Sequence, residues 1–163
     1  MKQIRNNVFE TNSSSTHSIT LRGLKDDMIM PYEKDNIEIS FGEYGWEQES
    51  YSTYQDKLSY VLTMIQYHLP YAYNSEEMGK NIIKTILSSN YYKWLEEMVW
   101  DYCKKTLSVE ESGSDWSPAG YIDHQSTDIL DEWWSDDEDV FKKSMRDFIF
   151  NSKYGFVTDN DNH

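Results

Sequence analysis

Apolar positions alternate with polar ones near the start of the chain and recur every three to four residues through its middle. Ser18–Arg22 sets Ile19 and Leu21 against Thr20 and Arg22, and Asn36–Phe41 repeats the pattern with Ile37, Ile39 and Phe41. Residues 2–9, ending in Val8-Phe9, carry a looser version. A period of two puts alternate side chains on one face of a strand, so these segments predict a small antiparallel sheet within residues 1–45. Glu10–Ser18 between them is polar and predicts a loop.

Further on the period changes to that of a helix. Leu58, Val61, Leu62, Ile65 and Leu69 share one helical face, with Pro70 as the stop. Asn74 and Glu77 have the spacing of a capping box before Met78, Ile82, Ile83, Ile86 and Leu87. Tyr91, Trp94, Leu95, Met98 and Tyr102 form a third stripe running to about Leu107. Apolar stripes of this kind are core faces.

Ser108–Gly120, with Gly113, Pro118 and Gly120, predicts a loop, and Tyr121-Ile122 a short strand. A short helix is expected over Thr127–Trp134. Ser135 and Glu138 form a capping-box pair that opens a helix through Val140, Phe141, Met145 and Phe148. Phe150–Thr158 offers one or two strands, and no internal repeat or linker interrupts the chain. The expectation is one α+β domain over residues 1–163, a small antiparallel sheet packed beside a helical layer.

Composition sharpens this picture. Only 38% of the 163 residues are hydrophobic, but 15% are aromatic, and rings bury large areas. That content separates the chain from disordered acidic proteins, which lack such residues. The formal net charge is −14. Between Lys105 and Lys142 lie eleven carboxylates and no Lys or Arg. The candidate partner-binding residues come from this stretch: Glu110, Glu111, Asp115, Asp131, Glu132, Asp136, Asp137 and Asp139.

Trp116, Tyr121, Trp133, Trp134 and Phe141 are interleaved with these acids. The mixture predicts a folded acidic surface with aromatic interface anchors, suited to a basic partner such as a groove that holds nucleic acid. Direct DNA or RNA binding is disfavoured because phosphate contacts need clustered Lys or Arg, and anionic membranes are disfavoured for the same reason.

Cys103 is the single cysteine, so no internal disulfide can form, which fits a reducing cytoplasm. The N-terminal MKQIRNNVFE lacks the apolar core of a signal peptide, and no apolar run approaches a membrane span. The expected location is the cytoplasm of a bacterial host.

Three constellations could carry chemistry. Ser13-Ser14-Ser15-Thr16-His17-Ser18 places hydroxyls beside an imidazole. Neighbouring residues of an extended chain point to opposite faces, so a structural loop is the stronger reading. His17, His124 and Cys103, with a carboxylate, are donor types that suit zinc, although no pair has C-x-x-C or H-x-x-x-H spacing. Cys103 reads equally as a small buried residue, and His68 as a histidine at the core edge. Phosphate-binding glycine motifs are absent.

Residues 8–18, Val-Phe-Glu-Thr-Asn-Ser-Ser-Ser-Thr-His-Ser, and residues 123–126, Asp-His-Gln-Ser, resemble a family of small phage and prophage proteins from Firmicutes. The two strings cover under a tenth of the chain. Among proteins of this kind are anti-CRISPR inhibitors of type II-A Cas9, one of them a zinc-containing metalloprotein. The resemblance implies binding to the Cas9 recognition lobe, interference with loading of target DNA, and His17 and His124 as metal ligands. Cys103 lies outside both strings. The expectation is therefore a non-enzymatic, phage-encoded Cas9 inhibitor with an acidic docking face and a structural zinc. The alternatives are a zinc-dependent enzyme acting on a nucleotide or peptide, and a phage accessory protein with an unrelated host partner.

Overall fold

A computed structural model describes residues 18–21, 28–46, 49–69, 81–110, 118–123 and 126–158. The chain is α+β: among the described residues four helices and seven short strands are ordered β1 (Ser18–Leu21), β2 (Asn36–Ser40), β3 (Glu43–Tyr44), β4 (Glu49–Tyr51), α1 (Tyr54–Met64), α2 (Ile82–Ser88), α3 (Asn90–Cys103), β5 (Thr106–Glu110), β6 (Tyr121–Ile122), α4 (Glu138–Phe150) and β7 (Tyr154–Thr158). Single 3-10 turns follow α1 at Ile65–His68 and precede α4 at Thr127–Leu130.

The strands pair across the chain rather than with their neighbours. β7 is the centre of a three-stranded antiparallel sheet, with β1 on one side and β4 on the other. β2 pairs with β5 in parallel, Asn36 opposite Thr106 through Ser40 opposite Glu110. β3 pairs with β6, also in parallel. The sheet expected within residues 1–45 is thus replaced by three small sheets, each closed by a later segment. The expected strand at residues 2–9 lies outside the described residues.

Local chemistry explains where the helices begin and end. Thr53 and Asp56 form a reciprocal capping box at the start of α1, with Thr53 Oγ1 accepting from the Asp56 N–H at 3.1 Å and Asp56 Oδ2 from the Thr53 N–H at 3.3 Å. Ser89 caps α3 through the Tyr92 N–H at 3.2 Å. Lys104 takes the left-handed conformation at φ 58°, which ends α3. The helical stripe therefore stops before Leu107, and Thr106–Glu110 runs on as a strand where a helix end and a loop were expected. At α4 the cap is Asp137, accepting from the Val140 N–H, rather than Ser135.

The apolar faces converge on one cluster. Ile37 and Ile39 of β2, Leu58, Val61 and Leu62 of α1, Leu95 and Val99 of α3, and Phe141, Met145 and Phe148 of α4 are all buried in it, with Phe156 of β7 against Tyr44 and Tyr60. Lys57 of α1 is fully buried too. Its Nζ donates to the carbonyls of Asn151 and Tyr154, each at 3.1 Å, and sits 5.9 Å from the Phe148 ring centre. The ammonium thereby ties α1 to the turn between α4 and β7. Gly120, at φ 71°, lies so close to β3 that an added Cβ would be 2.2 Å from the Gly42 carbonyl oxygen.

Candidate acidic docking face

Packing of α3 against α4 organises the acidic stretch. Asp136, Asp137, Glu138 and Asp139 surround the start of α4 and are exposed, as are Asp131 and Glu132 in the turn before it. Negative charge in the first turn of a helix is favoured by the helix dipole. Lys142, one turn on, donates to Glu138 of its own helix and to Glu97 of α3, each at 2.5 Å. These two carboxylates push the Lys142 ammonium above its ordinary pKa, despite partial burial. The bridge joins the acidic edge of α3 to that of α4.

The carboxylates differ in their duties. Asp137 caps α4, and Asp136 accepts a hydrogen bond from the Tyr91 hydroxyl of α3. Glu138 is held by Lys142. Asp131, Glu132 and Asp139 enter no ion pair among the described residues. These three charges are presented to solvent by a backbone that does not depend on them.

Behind the face lies an aromatic wall. Trp134 stacks on His68 at 3.9 Å and 11° and meets Tyr91 and Phe141 at 5.2 Å each. Trp94 packs on both Tyr91 and Phe141. Trp133 faces Tyr154 at 4.9 Å and Phe148 at 5.8 Å. Trp133 and Trp134, expected as interface anchors, are instead half-buried packing residues that stiffen the face from within. Burial lowers the His68 pKa, against the pull of Asp131 and Asp136, so the imidazole in this wall is neutral at pH 7.

The remaining acids of the predicted set are placed elsewhere or lie beyond view. Glu110 ends β5 in register with Ser40, on the β2–β5 sheet. Glu111 and Asp115 lie outside the described residues, as does Trp116.

The zinc expectation is overturned. Among the described residues no group of three or more His, Cys, Asp or Glu could hold a metal ion. Cys103 Sγ donates to the Val99 carbonyl one turn back, at 3.2 Å. Burial pushes its thiol above the ordinary range, although Lys105 pulls the other way. A cysteine binds zinc as its thiolate together with further donors, and among the described residues none is grouped around Cys103. His17 and His124 lie outside the described residues.

Among the described residues no helix is long and apolar enough to cross a membrane. Comparison with protein-family models, curated proteins and solved structures finds no match.

A second surface feature escaped the sequence reading. Trp100 of α3 is 49% exposed and lies beside an open groove of about 460 Å³ between α3 and β5. It falls between the polar residues Glu97 and Asp101 and off the stripe of Tyr91, Leu95, Met98 and Tyr102. A large ring on the polar side of an amphipathic helix is the signal that could have found it.

Proposed function

We propose that this chain is a phage-encoded, non-enzymatic inhibitor that binds Cas9, or a similar basic nucleic-acid-handling protein, and interferes with loading of target DNA. The observation that carries the reading is the set of exposed carboxylates at Asp131, Glu132 and Asp136–Asp139, held on a turn and helix start that pack against a rigid aromatic wall. Carboxylates fixed in this way can occupy positions that phosphates take in a cationic channel, at little cost in ordering on binding. Cas9 holds its nucleic acids in such channels. The similarity of residues 8–18 and 123–126 to phage anti-CRISPR proteins supports the choice of Cas9 within that class.

The test is binding and DNA-cleavage inhibition by the variant Asp131→Lys, Glu132→Lys, Asp139→Lys. Each reversal adds two units, moving the formal net charge from −14 to −8. Asp136 and Asp137 are left alone because they support Tyr91 and the α4 cap. A unit pair about 8 Å apart in water is worth about 0.5 kcal/mol, so six units give about 3 kcal/mol, or about 100-fold in Kd at low salt. The deficit shrinks above about 0.1 M salt as screening sets in. Undiminished low-salt inhibition by the folded variant would remove this face from the mechanism.

A further inference from the structure

The groove beside Trp100 is shaped by a strand edge as well as a helix. Its walls are Glu96, Glu97, Trp100 and Asp101 of α3, and Thr106 and Leu107 of β5. Successive strand residues point to opposite faces, so a groove touching both Thr106 and Leu107 runs along the edge of the strand. No β2 residue lines it, which places it on the side of β5 away from its partner.

Among the described residues the backbone of β5 has no strand partner on that side. The Thr106 N–H donates to the Asp35 carbonyl at 3.0 Å, which turns the peptide groups of Thr106, Ser108 and Glu110 toward β2. In a parallel ladder the intervening residues then direct theirs to the opposite edge, here Leu107 and Val109. Among the described residues no strand pairs with β5 there. The Leu107 and Val109 side chains pack on the core, so the edge is anchored, and no described strand takes up its polar groups.

The charge around the groove selects what can lie in it. Glu96, Glu97 and Asp101 line it, and burial raises the Glu96 carboxyl, with Glu97 adding to the effect and Tyr92 opposing it. Lys105 also lines the groove, but its ammonium is engaged by the backbone carbonyls of Glu33 and Lys34. The molecule also supplies its own example of a ligand. The Lys104 ammonium lies 5.8 Å from the Trp100 ring centre and 3.8 Å from Asp101 Oδ1, on a side chain that is 65% exposed.

We infer that this groove receives an extended basic segment of a protein partner, which adds as a strand to the open edge of β5 and places an arginine over Trp100 beside Asp101. Main-chain hydrogen bonds to Leu107 and Val109 supply affinity in this mode, and the alternate side chains supply selectivity. A guanidinium suits the ring face better than the ammonium it displaces, because it is planar and less strongly hydrated. The inference rests on the reading above only in taking the partner to be basic. It assigns that partner a second point of contact, next to the Glu97–Lys142–Glu138 bridge.

The experiment measures fluorescence anisotropy of labelled (Arg-Val)4 and (Arg-Pro)4 peptides with the full chain at low salt. The two peptides carry equal charge, but proline removes every second amide donor and locks φ at about −65°, which keeps the chain out of the extended geometry a ladder needs. We expect (Arg-Val)4 to bind at least about fivefold tighter than (Arg-Pro)4, and Trp100→Ala to weaken it about tenfold. Lys104→Asn, which keeps a residue tolerant of the left-handed cap, removes the internal competitor and tightens binding about twofold to threefold. Equal binding of the two peptides would reduce the effect to net charge and overturn the proposal, as would unchanged affinity in folded Trp100→Ala. Should Trp100→Ala fail to fold, unchanged or weaker binding by Lys104→Asn overturns it instead. Because the assay contains no Cas9, its failure leaves the Asp131–Asp139 face standing, and failure of that face leaves the groove standing.

Discussion

Lys57 makes the stability of this protein depend on alkaline pH in an unusual direction. Its side chain is fully buried, with no carboxylate hydrogen-bonded to it and two backbone carbonyls as partners. Burial lowers its pKa from 10.5 to about 8, against a small opposing pull from Asp56. An unfolded lysine titrates near 10.4, so between these values the unfolded chain binds more protons than the folded one. Stability then rises with pH across that window and is lower, by a constant amount, below it.

A shift of about 2.5 units corresponds to about 3 kcal/mol at most, and the two carbonyl bonds favour the ammonium and reduce it. A rise of about 2 kcal/mol between pH 7 and 9.5 is therefore expected. Above pH 10 the trend reverses, because burial raises the phenols of Tyr44, Tyr51, Tyr54 and Tyr92, so the unfolded chain alone ionises them. The assay is urea unfolding followed by tryptophan fluorescence from pH 6.5 to 11, for the wild type and for Lys57→Met. Methionine is unbranched, one atom shorter, and does not titrate, so the pH dependence of the difference between the two curves isolates Lys57 from every other group. A difference curve that is flat between pH 7 and 9.5 would refute the reasoning.

Other predictions follow from single contacts. Gly120→Ala forces a Cβ against the Gly42 carbonyl at a positive φ, and should cost at least about 2 kcal/mol in urea unfolding; a loss under about 0.5 kcal/mol contradicts the β3–β6 contact. Asp137→Ala removes the α4 cap and should cost about 1 kcal/mol, whereas Asp139→Ala should stay within about 0.5 kcal/mol; equal losses argue against Asp137 as the cap. His68, with its pKa lowered by burial, makes stability fall as pH drops through the ordinary histidine range, since the unfolded chain takes up the proton first. His68→Phe should flatten thermal unfolding midpoints between pH 7 and 5, and an unchanged slope would place the titrating group elsewhere.

The acidic face shows how far sequence reading reaches. Exposure of Asp131, Glu132 and Asp136–Asp139 was legible, because carboxylates in a turn and at a helix start stay in water. Trp133 and Trp134 were misread, because a ring flanked by acids looks like an anchor until the wall of His68, Tyr91 and Phe141 is in place. Cys103 was grouped with the histidines by residue type, and only the fold assigns its thiol to the Val99 carbonyl.

What the residues determined by themselves is local: the periods that mark α1, α3 and α4, the alternation of β1 and β2, and the run of carboxylates without a Lys or Arg between Lys105 and Lys142. Each depends on neighbours a few positions apart, where spacing alone says which face is buried. Tertiary structure decided the rest. β2 found β5 and β1 found β7 across long stretches of chain, because strand pairing is closed by whatever edge the packed helices bring near. The same closure buried Lys57, left one edge of β5 without a described strand partner beside Trp100, and sent the acids at the start of α4 outward while turning Trp133 and Trp134 in. Periodicity records which side of a segment avoids water, but not which other segment will cover it.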